Sequence, residues 1–343
     1  MPFERNEISV NSKGGTELMI ERIEKLIPPE TIEDFQIIPS RVRTLDETKY
    51  RILWCHDLPD DPESQHLANE GWKKFHKIVF VTYWQRDQYI AKFGIPYSRC
   101  AVIRNGITPI KPASTITLSA NSLAKFEKAP ETIKLIYHTT PHRGLEILVP
   151  VFERLTEFFD NIHLDVFSSF KIYGWEERDE PFKDTFDKIK NNPKMTFHGT
   201  VDNETVRKCL ADAHIFAYPS IWPETSCLSL IEAMSAGCSC VHSSLAALPE
   251  TASGFTYMYE IDEDANRHAK ALFTNLADQI QWIHLNPTEV GMRNLSAKTY
   301  IDAFYNIENR GQEWNDLVTS IRNSGQSTQI EKPTGPVFSY RTT

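Results

Sequence analysis

The sequence predicts an α/β protein, and three observations carry that expectation. Short runs rich in β-branched and aromatic residues alternate with helical periodicity, the signature of parallel sheets with crossover helices. The alternation occurs in two series, divided by a weakly patterned stretch at 108–131 that contains three prolines. The chain has 343 residues and is 41% hydrophobic, enough for two domains that each bury a core.

In chain order, the Lys13-Gly14-Gly15 turn precedes a helix starting near Thr16. Strands are expected at 35–38, 51–55, 77–81 and 101–103, with a further helix starting near Trp84. The second series places strands at 133–137, 162–167, 195–198, 214–218 and 238–242. Helical patterns then run from about 264 to 321, with Tyr300, Phe304 and Ile307, and then Trp314, Leu317 and Ile321, at helical spacing. The expected organisation is an amino-terminal domain over 1–110, a linker over 111–131, a second domain over 132–295, helices over 296–323 and a loose polar tail over 324–343.

Charge and cysteine usage narrow the function. With 37 Lys+Arg against 46 Asp+Glu the net charge is -9, so the basic excess that drives binding to a nucleic-acid backbone is missing. Six scattered cysteines with no Cys-x-x-Cys pair indicate reduced thiols, and with them a soluble cytoplasmic protein. No apolar stretch approaches the ~18 residues that a membrane span requires, and the first residues do not read as an export signal. The short basic-aromatic cluster at 72–77 could touch an anionic membrane surface, but on an acidic chain it reads better as a solvated helix face.

The most informative segment runs from Tyr218 to Gly237, YPSIWPETSCLSLIEAMSAG. It leaves a strand, turns through Pro219 and Pro223, and opens a helix near Thr225 whose small and hydroxyl residues Thr225, Ser226 and Cys227 leave its first amides accessible. Free amides and the helix dipole at such an opening favour a phosphate or diphosphate without any metal. Glu224 and Glu232 stand eight residues apart, roughly 12 Å along a helix. That separation suits an extended ligand with hydroxyls on both sides of a diphosphate. A second strand end, WCHDLPD at 54–60, places His56 and Asp57 where α/β sheets bind ligands, with Asp60 just beyond.

Strand, Pro-Ser turn, Glu-x7-Glu pair, Glu-Ala-Met, Gly237 and the next strand follow one another in an order that resembles the nucleotide-sugar site of GT-B glycosyltransferases, specifically the retaining glycosyltransferase family 4 (glycosyl transferases group 1). IKLIYHTTPHRGLEIL at 133–148 resembles that family's strand and phosphate loop, and KMTFHGTV at 194–201 its base-lining strand and glycine loop. VFVTYWQRDQYIAKFGIP with VIRNGI, at 79–107, resembles the end of its amino-terminal domain, and KGGTE at 13–17 its opening glycine turn.

The resemblance implies two Rossmann-like domains facing across a cleft, with C-terminal helices packing back towards the first. It also implies transfer of a sugar from a UDP- or GDP-linked donor to a carbohydrate, lipid or protein hydroxyl with retention of configuration. By that likeness Glu224 holds donor-sugar hydroxyls, Glu232 the ribose, and the backbone at Cys227 and Leu228 the diphosphate. Thr225, Ser226, Gly15, His138, Thr139 and Gly199 complete the donor side. Arg143 stands where the family usually has a lysine on the donor phosphates, and its planar fork can hold two phosphate oxygens. His56 contacts the sugar near the reaction centre, and Asp57 or Asp60 the acceptor. No metal or other cofactor is implied.

This chain departs from the family pattern in two places. The second basic residue upstream of Arg143 is replaced by His138-Thr139-Thr140-Pro141, so one arginine, hydroxyls and amides must meet the phosphate charge. The usual apolar first strand is replaced by the polar run at 3–8, in a short first half. Two other enzyme readings share the architecture, an epimerase of nucleotide sugars and a phosphorylase with a pyridoxal-bearing lysine; a third reading is a non-catalytic module that keeps the pocket. Asp262-Glu263-Asp264 reads as a solvated acidic turn, and Cys238 with Cys240 as buried strand residues.

Overall fold

The computed structural model describes residues 3–4, 14–111, 116–119, 122–124 and 128–329. The chain divides into two compact units, one formed by Met1–Gly106 with Tyr305–Thr343, the other by Ile107–Phe304. Most of the polar run at 3–8 and all of the tail beyond 329 fall outside the described residues.

In the first unit, helices α1 (Gly15–Glu24) and α2 (Pro29–Ile32) lead into the parallel strands β1 (Phe35–Pro39), β2 (Tyr50–Cys55) and β3 (Lys77–Phe80). Helix α3 (Tyr83–Phe93) and β4 (Cys100–Val102) follow, and the sheet order is β1-β2-β3-β4. All five residues of β1 are buried, as expected of a parallel strand covered on both faces. Helix α3 starts where Thr82 accepts a hydrogen bond from the Gln85 amide at 3.1 Å, and ends at Gly94, whose φ of 65° an L side chain resists. Phe3 bridges Ile37 in parallel, so the chain does approach the sheet edge where the first strand seemed lost.

The last helix among the described residues, Ile307–Asn323, belongs to this first unit. It buries Trp314, Val318 and Ile321, with the Trp314 ring 5.1 Å from that of Trp54 on β2. Arg322 pairs with Asp34 at 2.6 Å. The cluster at 72–77 is not a solvated helix face. It is a 3-10 turn (Gly71–Lys74) that runs into β3, with Lys74, Phe75 and His76 buried as the chain turns inward.

The second unit opens on an antiparallel pair, β5 (Ile116–Ser119) and β6 (Ser122–Ala124), inside the stretch read as a linker. Its main sheet contains β7 (Ile133–Tyr137), β8 (Ile162–Val166), β9 (Met195–Phe197), β10 (Ile215–Tyr218), β11 (Ser239–Ser243) and β12 (Tyr257–Tyr259). The last of these was not among the strands expected from the sequence. Helices α4 (Leu145–Leu155), α5 (Lys183–Asn191), α6 (Asn203–Asp212), α7 (Leu228–Ser235) and α8 (Leu248–Ala252) alternate with the strands, and α9 (Ala265–Leu285) and α10 (Pro287–Phe304) close the unit.

All six strands are parallel, in the order β12-β11-β10-β7-β8-β9. The chain therefore winds outward from β7 in one direction and from β10 in the other. The reversal between β7 and β10 opens a crevice beyond their carboxyl ends, where doubly wound sheets bind ligands.

Candidate functional site

The loops leaving β7 and β10 are fastened to each other. Tyr137 donates its phenol to the Thr140 carbonyl at 2.9 Å, shaping the turn that carries Arg143. Gly144 then takes φ 118°, and a Cβ there would stand 2.9 Å from Pro219 Cβ, so only glycine lets the β10 loop come this close. Ser229 Oγ donates to the His138 carbonyl at 3.0 Å. Across the crevice Arg143 Nη1 forms an ion pair with Glu224 Oε1, and the Tyr218 hydroxyl donates to the same oxygen. Burial works against the charge on Arg143, but the Glu224 carboxylate beside it prevails and holds the guanidinium above its ordinary range.

Buried polar atoms without partners lie on the loops that follow β7, β8 and β10. They include both ring nitrogens of His138, Thr140 Oγ1, Arg143 Nε, Ser168 Oγ and Ser226 Oγ. Native structures seldom leave such groups unpaired, and those on these loops are ones a polar ligand could satisfy. His138 does not supply a second positive charge, because burial depresses its pKa to about 4 against the opposing pull of Glu232. Arg143 is thus the cation of this loop pair, and hydroxyls and amides must do the rest.

Helix α7 begins at Leu228, not near Thr225. Cys227 is its cap, and its sulfur accepts from the Leu230 amide at 3.4 Å. Thr225 and Ser226 lie in the preceding bend, so the anion-attracting amides belong to the residues from Leu228 onward.

Glu232 is buried on α7 and held from α6, with Arg207 Nη1 at 3.1 Å and Asn203 Nδ2 at 3.2 Å from its oxygens. Arg207 also donates to the Thr108 carbonyl at 2.6 Å. Gly199 has φ 63° and follows His198, whose ring stacks on Phe167 at 4.1 Å and whose Nε2 stands 2.7 Å from Asp165. Half-buried Thr139 lies in the β7 loop. The sequence-predicted residues of the second unit thus converge on the carboxyl ends of β7, β9 and β10.

In the first unit, His56 follows β2, its amide donating to Ser40 Oγ at 2.9 Å and its ring 4.4 Å from that of Trp54. Burial, helped by Arg41, lowers its pKa to about 3, so the imidazole is neutral. Burial raises the Asp57 carboxyl, with Arg41 opposing. Asp60 is exposed and pairs with Lys92 of α3 at 2.6 Å. Gly15 is exposed in the first turn of α1.

Tyr218, Arg207 and Asn203 escaped the sequence reading. Tyr218 looked like one more apolar strand residue, while Asn203 and Arg207 are four residues apart on one helix face, a spacing that names no partner. Asp262 pairs with Arg267 at 2.7 Å and Asp264 caps α9, so the acidic turn is structural. Cys238 and Cys240 are buried, with sulfurs directed at carbonyls. Among the described residues no group of three or more His, Cys, Asp and Glu could hold a metal ion, and no helix is long and apolar enough to cross a membrane.

Comparison with known proteins agrees with this architecture. Residues 121–287 match the family described as Glycosyl transferases group 1. No curated protein is similar enough to match. A glycosyltransferase from Rickettsia africae ESF-5 superposes with a TM-score of 0.65 at 14% identity, covering 91% of this chain and 81% of that one. The sucrose-phosphate synthase of Thermosynechococcus elongatus gives 0.60 at 16%, covering 90% and 79%. Anabaena HepE, solved in complex with UDP-glucose, gives 0.59 at 12%, covering 90% and 84%. The protein has the GT-B glycosyltransferase fold. The span that matches the Glycosyl transferases group 1 family includes the switch-point site.

Proposed function

We propose that this protein is a glycosyltransferase that moves a sugar from a nucleoside-diphosphate donor to an acceptor hydroxyl, with retention of configuration and without a metal. One observation carries the reading. The Arg143–Glu224 pair joins the β7 and β10 loops at the switch point, inside the span that matches the family, with unpartnered buried polar atoms on the same loops. A diphosphate against Arg143 and the opening of α7 would satisfy them, with sugar hydroxyls on Glu224 and ribose hydroxyls on Glu232.

The chemistry asked of these residues is stabilisation of the departing diphosphate and orientation of the sugar. No protein base is assigned; on the family likeness the leaving phosphate accepts the acceptor's proton. His56 is assigned to transfer rather than to donor binding, and Asp57 to the acceptor. UDP is the first nucleotide to test, because HepE was solved with UDP-glucose, and GDP the second; a carbohydrate heads the acceptor classes, followed by lipid and protein.

The test is a thermal-shift panel of UDP, GDP, ADP and their sugars on the wild type, Arg143→Ala and Glu232→Ala, followed by turnover of a labelled donor. A bound nucleotide raises the wild-type melting temperature by mass action. Loss of that shift in both variants supports the site. A wild type that no nucleotide shifts, or variants that respond unchanged, overturns it, and binding without turnover would mark a non-catalytic module.

A further inference from the structure

Glu224 does not present both of its oxygens equally. Oε1 receives Arg143 Nη1 and the Tyr218 hydroxyl together, while among the described residues Oε2 accepts no hydrogen bond. The backbone is fixed as well, since the Glu224 carbonyl accepts from the Ala247 amide at 3.1 Å. Tyr218 has no exposed surface, and its ring stands 5.4 Å from that of Phe216 and 6.3 Å from that of Tyr137. Burial, and then the neighbouring Glu224, raise the Tyr218 phenol well above its ordinary range, so it stays a donor. Arg143 keeps its buried Nε without a partner while Nη1 is engaged.

From this arrangement we infer that Tyr218 is a positioning residue for sugar selection. Together with Arg143 Nη1 it clamps one carboxylate oxygen of Glu224, so that Oε2 meets a sugar hydroxyl in one fixed direction while Arg143 Nε faces the phosphates. The inference rests on the donor site proposed above, but it makes a separate claim: the phenol contributes to recognition of the sugar and not of the nucleotide. Removing the hydroxyl frees the carboxylate to rotate about its terminal torsion, which is broad and carries little preference of its own.

The test is Tyr218→Phe in the full chain, with UDP and UDP-glucose titrated by calorimetry. The isosteric ring preserves packing, and a melting curve checks it. Expected is an unchanged affinity for UDP, with the additional affinity of UDP-glucose over UDP falling about tenfold, the worth of one charge-assisted hydrogen bond. Discrimination between UDP-glucose and UDP-galactose should narrow with it. Equal losses for UDP and UDP-glucose would make Tyr218 merely structural and overturn the inference, as would no change in either. A wild type that binds UDP but leaves Tyr218→Phe unaltered sinks this inference alone, whereas a wild type that binds no nucleotide sinks the donor site with it.

Discussion

Arg207 on α6 holds Glu232 on α7 at 3.1 Å, with the two side chains only 14% and 5% exposed. Removing the guanidinium takes a charged partner from a buried carboxylate that Asn203 also holds, and such losses cost about 1–3 kcal/mol. Arg207→Met should lower the unfolding free energy by about 2 kcal/mol in chemical denaturation. It should also weaken UDP binding more than it weakens inorganic pyrophosphate, because Glu232 is assigned to the ribose. Equal weakening of both would remove that assignment.

Arg143→Lys separates charge from geometry. A lysine keeps one positive charge but cannot engage Glu224 and two phosphate oxygens as a planar fork does. Affinity for UDP should fall about tenfold for Lys and about a hundredfold for Ala, read by calorimetry. Excess chelator should leave the wild-type affinity within about twofold, since the phosphates are assigned to a guanidinium and helix-end amides rather than to a cation. Strict dependence on added Mg²⁺ or Mn²⁺ would count against that arrangement.

Gly144→Ala tests the close approach of the two loops. The new Cβ would meet Pro219 at 2.9 Å in a backbone with φ 118°, so both contact and torsion are unfavourable. A loss of about 1–3 kcal/mol is expected, together with weaker nucleotide binding as the Arg143 turn shifts. Unaltered stability and binding would show that the loops tolerate separation.

Acid sensitivity follows from histidines buried in neutral form. Burial lowers the pKa of His242 to about 4, and the residue has no exposed surface. The unfolded chain binds that proton at about 6.5, so the stabilisation is complete above 6.5 and is lost as pH falls towards 4. The slope from this one residue reaches about 1.4 kcal/mol per pH unit within that window. Denaturation curves at pH 7, 5.5 and 4.5 should show the decline, and His242→Gln should flatten it.

His56→Ala should leave the UDP-induced thermal shift in place while transfer falls about a hundredfold, the scale of losing one polar contact at a reaction centre. A variant that turns over normally would strip His56 of its role.

The sequence alone settled the class of the fold. Parallel strands buried on both faces write themselves as short continuous apolar runs, and nine of them, 35–38 among the first and 238–242 among the last, were legible from composition and spacing. Glu224 and Glu232 were singled out by their spacing beside a strand end and a turn, and the family resemblance then gave them, and Arg143, their donor roles. Local order also misled: the helix was expected near Thr225 but begins at Leu228, since Cys227 and not a hydroxyl residue takes the cap. The pair at 116–124 and strand β12 did not stand out from their surroundings in the sequence.

Partnership was decided only by the tertiary structure. Which oxygen of Glu224 is clamped depends on β7 and β10 lying side by side, and that adjacency is a property of the sheet order rather than of either segment. Arg207 reaches Glu232 because α6 and α7 pack, and the last helix joins the first unit because Trp314 finds Trp54. Periodicity tells a residue which way to face. The energy of a contact depends on distance in space, which a linear pattern does not contain.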